Sequence, residues 1–253
     1  MKLHYKKFGE GEPLFILHGL FGSSDNWMTI AKQLAQSYEV ILVDLRNHGE
    51  SPHSDQWNYP VMAQDIYQLA QKLDYNHSNL IGHSMGGKIG MTLAGSYSGF
   101  LDKLVVADIA PRAYPIRHRK FIDGLLSINL HQIESRKDAE IALSVYVQEA
   151  GIRQFLLKNL TRESEGGFKW KLNLEVINNH LENVGEATYP SSKIDTPTLF
   201  IRGINSDYVT DDDILEIRSY YSNSKVETIG NAGHWLHAEQ PEAFVKTVMD
   251  FLE

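Results

Sequence analysis

The chain has 253 residues, enough to bury a substantial core either as one α/β domain or as a core with a modest insertion. Its 42% hydrophobic and 22% charged residues are the balance of a globular protein, and a formal net charge of -8 argues against general binding to nucleic acid or an anionic membrane. With no cysteine, disulfides, thiolate nucleophiles and cysteine-based metal sites are excluded.

The first residues, MKLHYKKFGEGEP, lack the apolar core of a secretory signal, and no segment approaches the roughly 20 apolar residues of a membrane helix; the expected location is the cytoplasm. PLFILHG and EVILVD read as buried strands, with DNWMTIAKQLAQS between them carrying apolar residues at helical spacing. YPVMAQDIYQLAQKLD then reads as a helix, NLIGHS as a strand, MGGKIGMTLAGSY as a helix and LDKLVVADIA as a strand. Such alternation predicts βαβ units around a mostly parallel sheet flanked by helices.

From Pro111 to about Pro190 no central strand is predicted, while FIDGLLSINL, AEIALSVYVQEA and IRQFLLKNL have helical patterns. The alternation resumes with TPTLFIRG, DDDILEIRSYY, KVETIG and PEAFVKTVMDFLE, the last opened by Pro241. Strands on both sides of the break are needed for one sheet, so residues 1–110 and 191–253 are expected to form a single α/β core, with 111–190 as an inserted helical cap.

Gly82-His83-Ser84-Met85-Gly86 matches the G-x-S-x-G nucleophile elbow and lies between a predicted strand and a predicted helix, the context that gives the motif weight. HGLFGS, residues 18–23, follows an earlier strand and can aim a backbone N–H at a developing oxyanion. Leu20 is the preferred donor by position, Phe21 the alternative, and Met85 N–H the second donor. A serine hydroxyl needs an imidazole to take its proton, and His234 in NAGHWLHAEQP follows an Ala-Gly turn after the last predicted strand; His237 is the competitor.

In this chain order, HGLFGSSDNW, DLRNHGESP, GHSMGGK, DIAP and GHWLHAEQP resemble the α/β-hydrolase superfamily, and within it the YbfF-type esterases and their mitochondrial relatives. Asn47 stands where many members carry glycine, which asparagine tolerates because it accepts left-handed turns. The resemblance implies an α/β-hydrolase fold and a Ser84–acid–His234 triad. The commonest acid position, three residues after Gly203, is Ser206 here, and Asp207 is one residue late. The YbfF-type pattern instead implies Asp108 as the acid, with Asp207 the alternative and Ser206 a supporting member of the polar network.

The expected function is hydrolysis of short to medium acyl esters or thioesters through an acyl-enzyme, with a small molecule as partner and no cofactor or metal. Phe121, Phe155, Phe168 and Trp170 are available to line an acyl pocket, and the basic run RAYPIRHRK, residues 112–120, to meet an anionic leaving group. Competing readings are a C–C hydrolase or lyase using the same triad, and a low-turnover ligand receptor. The sequence leaves monomer and dimer equally open.

Overall fold

The computed structural model describes residues 1–164 and 166–253. A seven-stranded sheet is built from β1 (Tyr5–Phe8), β2 (Glu12–Leu17), β3 (Tyr38–Val43), β4 (Ser78–His83) and β5 (Leu101–Ala107), then two late strands, Thr198–Gly203 and Ser224–Ile229. Between β5 and those late strands a separate hairpin pairs β6 (Leu160–Arg162) with β7 (Phe168–Trp170) in antiparallel fashion, so the late strands are β8 and β9. The order across the large sheet is β1-β3-β2-β4-β5-β8-β9; only β1 runs antiparallel to its neighbour.

The central strands read as continuous apolar runs because both of their faces are covered. Phe15, Leu17, Ile41, Val43, Leu80, Leu104, Val106 and Phe200 point to one side. They pack there against α2 (Tyr59–Lys72) and α3 (Met85–Ser96), with Ile217 of a later helix, Asp211–Tyr220. Leu14, Ile16, Val40, Leu42, Ile81, Val105, Leu199 and Ile201 point to the other, against α1 (Met28–Leu34) and the last helix, Pro241–Leu252. This period of two along each strand divides the core into two layers. Asn58 caps α2 by accepting the Val61 N–H at 3.1 Å, with Pro60 in the first turn.

Residues between β5 and β8 carry α4 (Arg119–Leu126), α5 (Arg136–Ser144), α6 (Ala150–Leu157) and α7 (Leu174–Asn179) beside the β6–β7 hairpin, so this stretch is not wholly helical. The expected helix over AEIALSVYVQEA stops at Ser144, and a new one begins at Ala150. The helices after β8 are α8 (Asp211–Tyr220), the short α9 (Leu236–Glu239) and α10 (Pro241–Leu252). At the sheet edges, β1 exposes Lys7 and β9 exposes Lys225 and Glu227. Among the described residues no helix is long and apolar enough to cross a membrane.

Because β2 lies between β3 and β4, chain direction across the sheet reverses there, and the loops after β2, β4, β5, β8 and β9 all emerge at the carboxyl ends of the parallel strands. That rim is where the candidate site lies. Trp27 supports it from below: it is 1% exposed, stacks on the His237 ring at 4.0 Å and meets Phe244 edge-on at 5.8 Å. Trp27→Ala is expected to cost about 3–5 kcal/mol, read as a lower urea midpoint by circular dichroism; a loss under about 1 kcal/mol would contradict this packing.

Candidate active site

Ser84 closes β4 and precedes α3 with φ 52° and ψ -115°, a left-handed conformation that costs a non-glycine residue of order 1–3 kcal/mol. Its neighbours make the turn possible. A Cβ on Gly82 would sit 2.2 Å from the Gly86 carbonyl oxygen, and one on Gly86 would sit 2.4 Å from that of Leu17, so strand and helix approach closely only with glycine at both positions. The backbone is held by Ser84 N–H donating to Ala107 O at 2.9 Å, and the side chain reaches a cavity of about 260 Å³.

Asp108, at the end of β5, also has a positive φ of 52° and is completely buried. Its Oδ1 accepts Gly203 N–H at 3.1 Å, and its Oδ2 accepts both the Ser206 hydroxyl and His234 Nδ1–H, the latter at 2.8 Å. The Nδ1 proton fixes the tautomer of His234 and leaves Nε2 as an acceptor. His234 lines the same cavity as Ser84. Asp207 stands apart: it is a largely exposed carboxylate paired with both oxygens to Arg117, at 2.7 and 2.6 Å.

Of the two oxyanion-loop residues, Phe21 has φ 61°, and its N–H donates to His48 Nε2 at 3.3 Å. Met85 is the first residue of α3, so its N–H has no partner within the helix. Leu20 and Phe21 both line the cavity.

Of the other histidines nearby, His18, His48, His83 and His237 are buried, and His118 is half-buried at the cavity wall. His237 is stacked on Trp27, and burial pushes its pKa down to about 3. His48 is pushed down to about 3 and His118 to about 4, burial being the main cause in each; burial also lowers His18 and, well below the ordinary range, His83. His18 Nε2 accepts Leu45 N–H at 3.0 Å, and His83 Nε2–H donates to the His234 carbonyl at 2.7 Å, tying the elbow to the loop that carries His234.

Three groups went unrecognised in the sequence. Tyr208 lays its ring on the His234 imidazole at 3.8 Å, and His83 makes the bond just described. The third is Lys88, fully buried on α3, whose only signal was a single charge in an apolar helical pattern. Of the four aromatics, Phe121 and Phe155 line the cavity with Ile152 and Leu156; Phe168 is instead buried in the core, and Trp170 packs against that core. In the basic run, Arg112 pairs with Asp213 at 2.6 Å and Arg117 with Asp207, and Arg117 and Lys120 both line the cavity, Lys120 beside Phe121.

A strained serine at a strand-to-helix turn, with a buried carboxylate bonded to an imidazole at the neighbouring strand ends, defines the class of an α/β hydrolase. The family model described as "alpha/beta hydrolase fold" matches residues 12–129. Relatives extend the match along the chain, which belongs to the α/β-hydrolase family. It is 39% identical to an sn-1-specific diacylglycerol lipase of Xenopus tropicalis, over 98% of this chain and 80% of that protein. It is 36% identical to esterase YbfF of Escherichia coli, over 95% and 92%. The solved structure of a marine microorganism esterase has 41% identity and a TM-score of 0.96, covering 99% of both chains.

The buried histidines predict a pH dependence of stability. Their folded pKa values lie below the ordinary 6.5, so on acidification the unfolded chain takes up protons first, and stability falls as pH drops from about 6.5 toward 4. Each contributes up to about 1.4 kcal/mol per pH unit over that window. Urea unfolding at pH 5 is expected to give at least about 2 kcal/mol less stability than at pH 7; equal values would contradict neutral buried imidazoles.

Proposed function

We propose that the chain is a serine hydrolase of short to medium acyl esters. The observation that carries this reading is the hydrogen bond between His234 Nδ1 and the buried Asp108 carboxylate, beside the cavity that Ser84 and His234 both line. Relatives named as esterase and diacylglycerol lipase support ester chemistry.

In this reading Ser84 Oγ attacks the ester carbonyl while His234 Nε2 takes its proton. Asp108 holds the productive tautomer and stabilises the imidazolium, while Ser206 and Gly203 N–H hold the carboxylate. The N–H groups of Leu20 and Met85 receive the oxyanion, a contribution of about 3–4 kcal/mol for one such donor. The imidazolium protonates the leaving alcohol, and water then releases the acid from the acyl-enzyme by the same proton path. Neither step calls for a cofactor or metal.

Residues 111–190 act as a cap on the core formed by 1–110 and 191–253; Phe121, Ile152, Phe155 and Leu156 give the cavity its apolar wall. Thioesters fit the same chemistry, with Lys120 the cation of the basic run that meets an anionic leaving group. Arg112 and Arg117 are occupied by carboxylates of the β8–α8 region.

Steady-state hydrolysis of p-nitrophenyl esters from acetyl to decanoyl tests the reading. Ser84→Ala is expected to abolish turnover, and Asp108→Asn to reduce kcat by about 10⁴-fold through loss of the tautomer. Asp207→Asn, which removes only an exposed pair, should stay within about threefold of wild type. Turnover surviving in Ser84→Ala would refute the nucleophile, and the reverse ranking of the two aspartates would refute the acid.

A further inference from the structure

Lys88 lies one helical turn after Ser84 on α3, with no exposed surface. A lysine so placed needs partners for three N–H donors. Its Nζ has three acceptors, the carbonyl oxygens of Pro111 at 3.2 Å, Arg112 at 2.6 Å and Glu186 at 2.8 Å. Donor count and acceptor count match. Burial, reinforced by Arg112, pulls Lys88 down to about 7, while Glu216 and Glu186 favour the charged form. The three carbonyl oxygens favour it as well.

The three acceptors come from the two ends of the 111–190 excursion. Those ends are also joined directly: Tyr114 N–H donates to Gly185 O at 2.8 Å, and Thr188 N–H to Pro111 O at 2.8 Å. Lys88 therefore binds a closed pair of chain segments to the helix that begins after Ser84. From the entering segment a second connection runs toward His234. Tyr114 lies 5.1 Å from the Lys88 ammonium and accepts Ala110 N–H at 2.9 Å; its hydroxyl donates to the Tyr208 carbonyl, and the Tyr208 ring covers the His234 imidazole.

We propose that Lys88 is a positioning residue: its ammonium fastens both ends of the excursion to the nucleophile helix and, through Tyr114 and Tyr208, sets His234 against Ser84. The part concerning turnover rests on the serine-hydrolase reading; the fastening of the two ends does not. Lysine suits the place because its ammonium is a compact point of charge with three rotatable donors, whereas a planar guanidinium spreads its donors over a fork.

Lys88→Met keeps the length and apolar stem of the side chain and removes all three donors. Hydrogen exchange followed by mass spectrometry is expected to quicken at least tenfold in peptides covering 110–116 and 184–189, with peptides covering α1 and β3 within twofold of wild type. With p-nitrophenyl butyrate, kcat should fall at least fivefold and KM change less than threefold. Tyr114→Phe, which leaves Lys88 in place, should also lower kcat at least fivefold, and the double variant should lose no more than about the larger single loss.

Exchange that quickens uniformly, or a kcat loss below fivefold in Lys88→Met, overturns the proposal; losses that multiply in the double variant overturn the connection through Tyr114. If Lys88→Met does not fold, Tyr114→Phe decides alone, and a kcat loss below fivefold overturns the proposal. Absence of Ser84-dependent turnover in wild type removes the esterase reading instead, and the exchange measurement then decides the fastening by itself.

Discussion

A carboxylate with no exposed surface sits where β5 ends, and much of the rim is arranged around its charge. Leaving Asp108 uncompensated would be very costly, so each oxygen must find donors. The Gly203 amide, the Ser206 hydroxyl and the His234 imidazole supply them, and they come from the ends of β8 and β9. One buried charge thus brings three strand ends into register. The adjacent β4 end is joined to the same group by Ser84 N–H on Ala107 O and by His83 on the His234 carbonyl.

Strain at Ser84 and at Asp108 belongs to the same arrangement. Both residues take a positive φ at the carboxyl ends of neighbouring parallel strands, β4 and β5. Each turns its side chain out of line with its strand, and the surrounding bonds hold it there. A backbone cost of a few kcal/mol is sustained only where packing over-determines the conformation. Here two fully covered sheet faces provide that rigidity.

The sheet was legible in the sequence because parallel strands buried on both faces appear as unbroken apolar runs, and the elbow because its glycines are compelled by contacts of 2.2 and 2.4 Å. β1 was not legible, since the edge strand YKKF places two lysines in a four-residue stretch. The β6–β7 strands are three residues each, too short for a period to show. The resemblance favoured Asp108 over Asp207, but the pairing of Asp207 with Arg117, which spans 90 residues of chain, left no local signal. Likewise, Tyr208 on His234 and the three carbonyls around Lys88 are contacts that only the folded chain brings about.

The two outermost strands bear on a different matter, the behaviour of many copies together. Each ends the sheet with unpaired backbone groups, which invite another molecule to add a strand. β1 is four residues long and carries Lys6 and Lys7, the first paired to Asp25 and the second to Glu39; β9 displays Lys225 and Glu227. A strand from a neighbouring molecule pairing there would have to desolvate those charges. The sheet is therefore guarded at both margins against edge-to-edge growth into aggregates, by residues with no part in the chemistry at its rim.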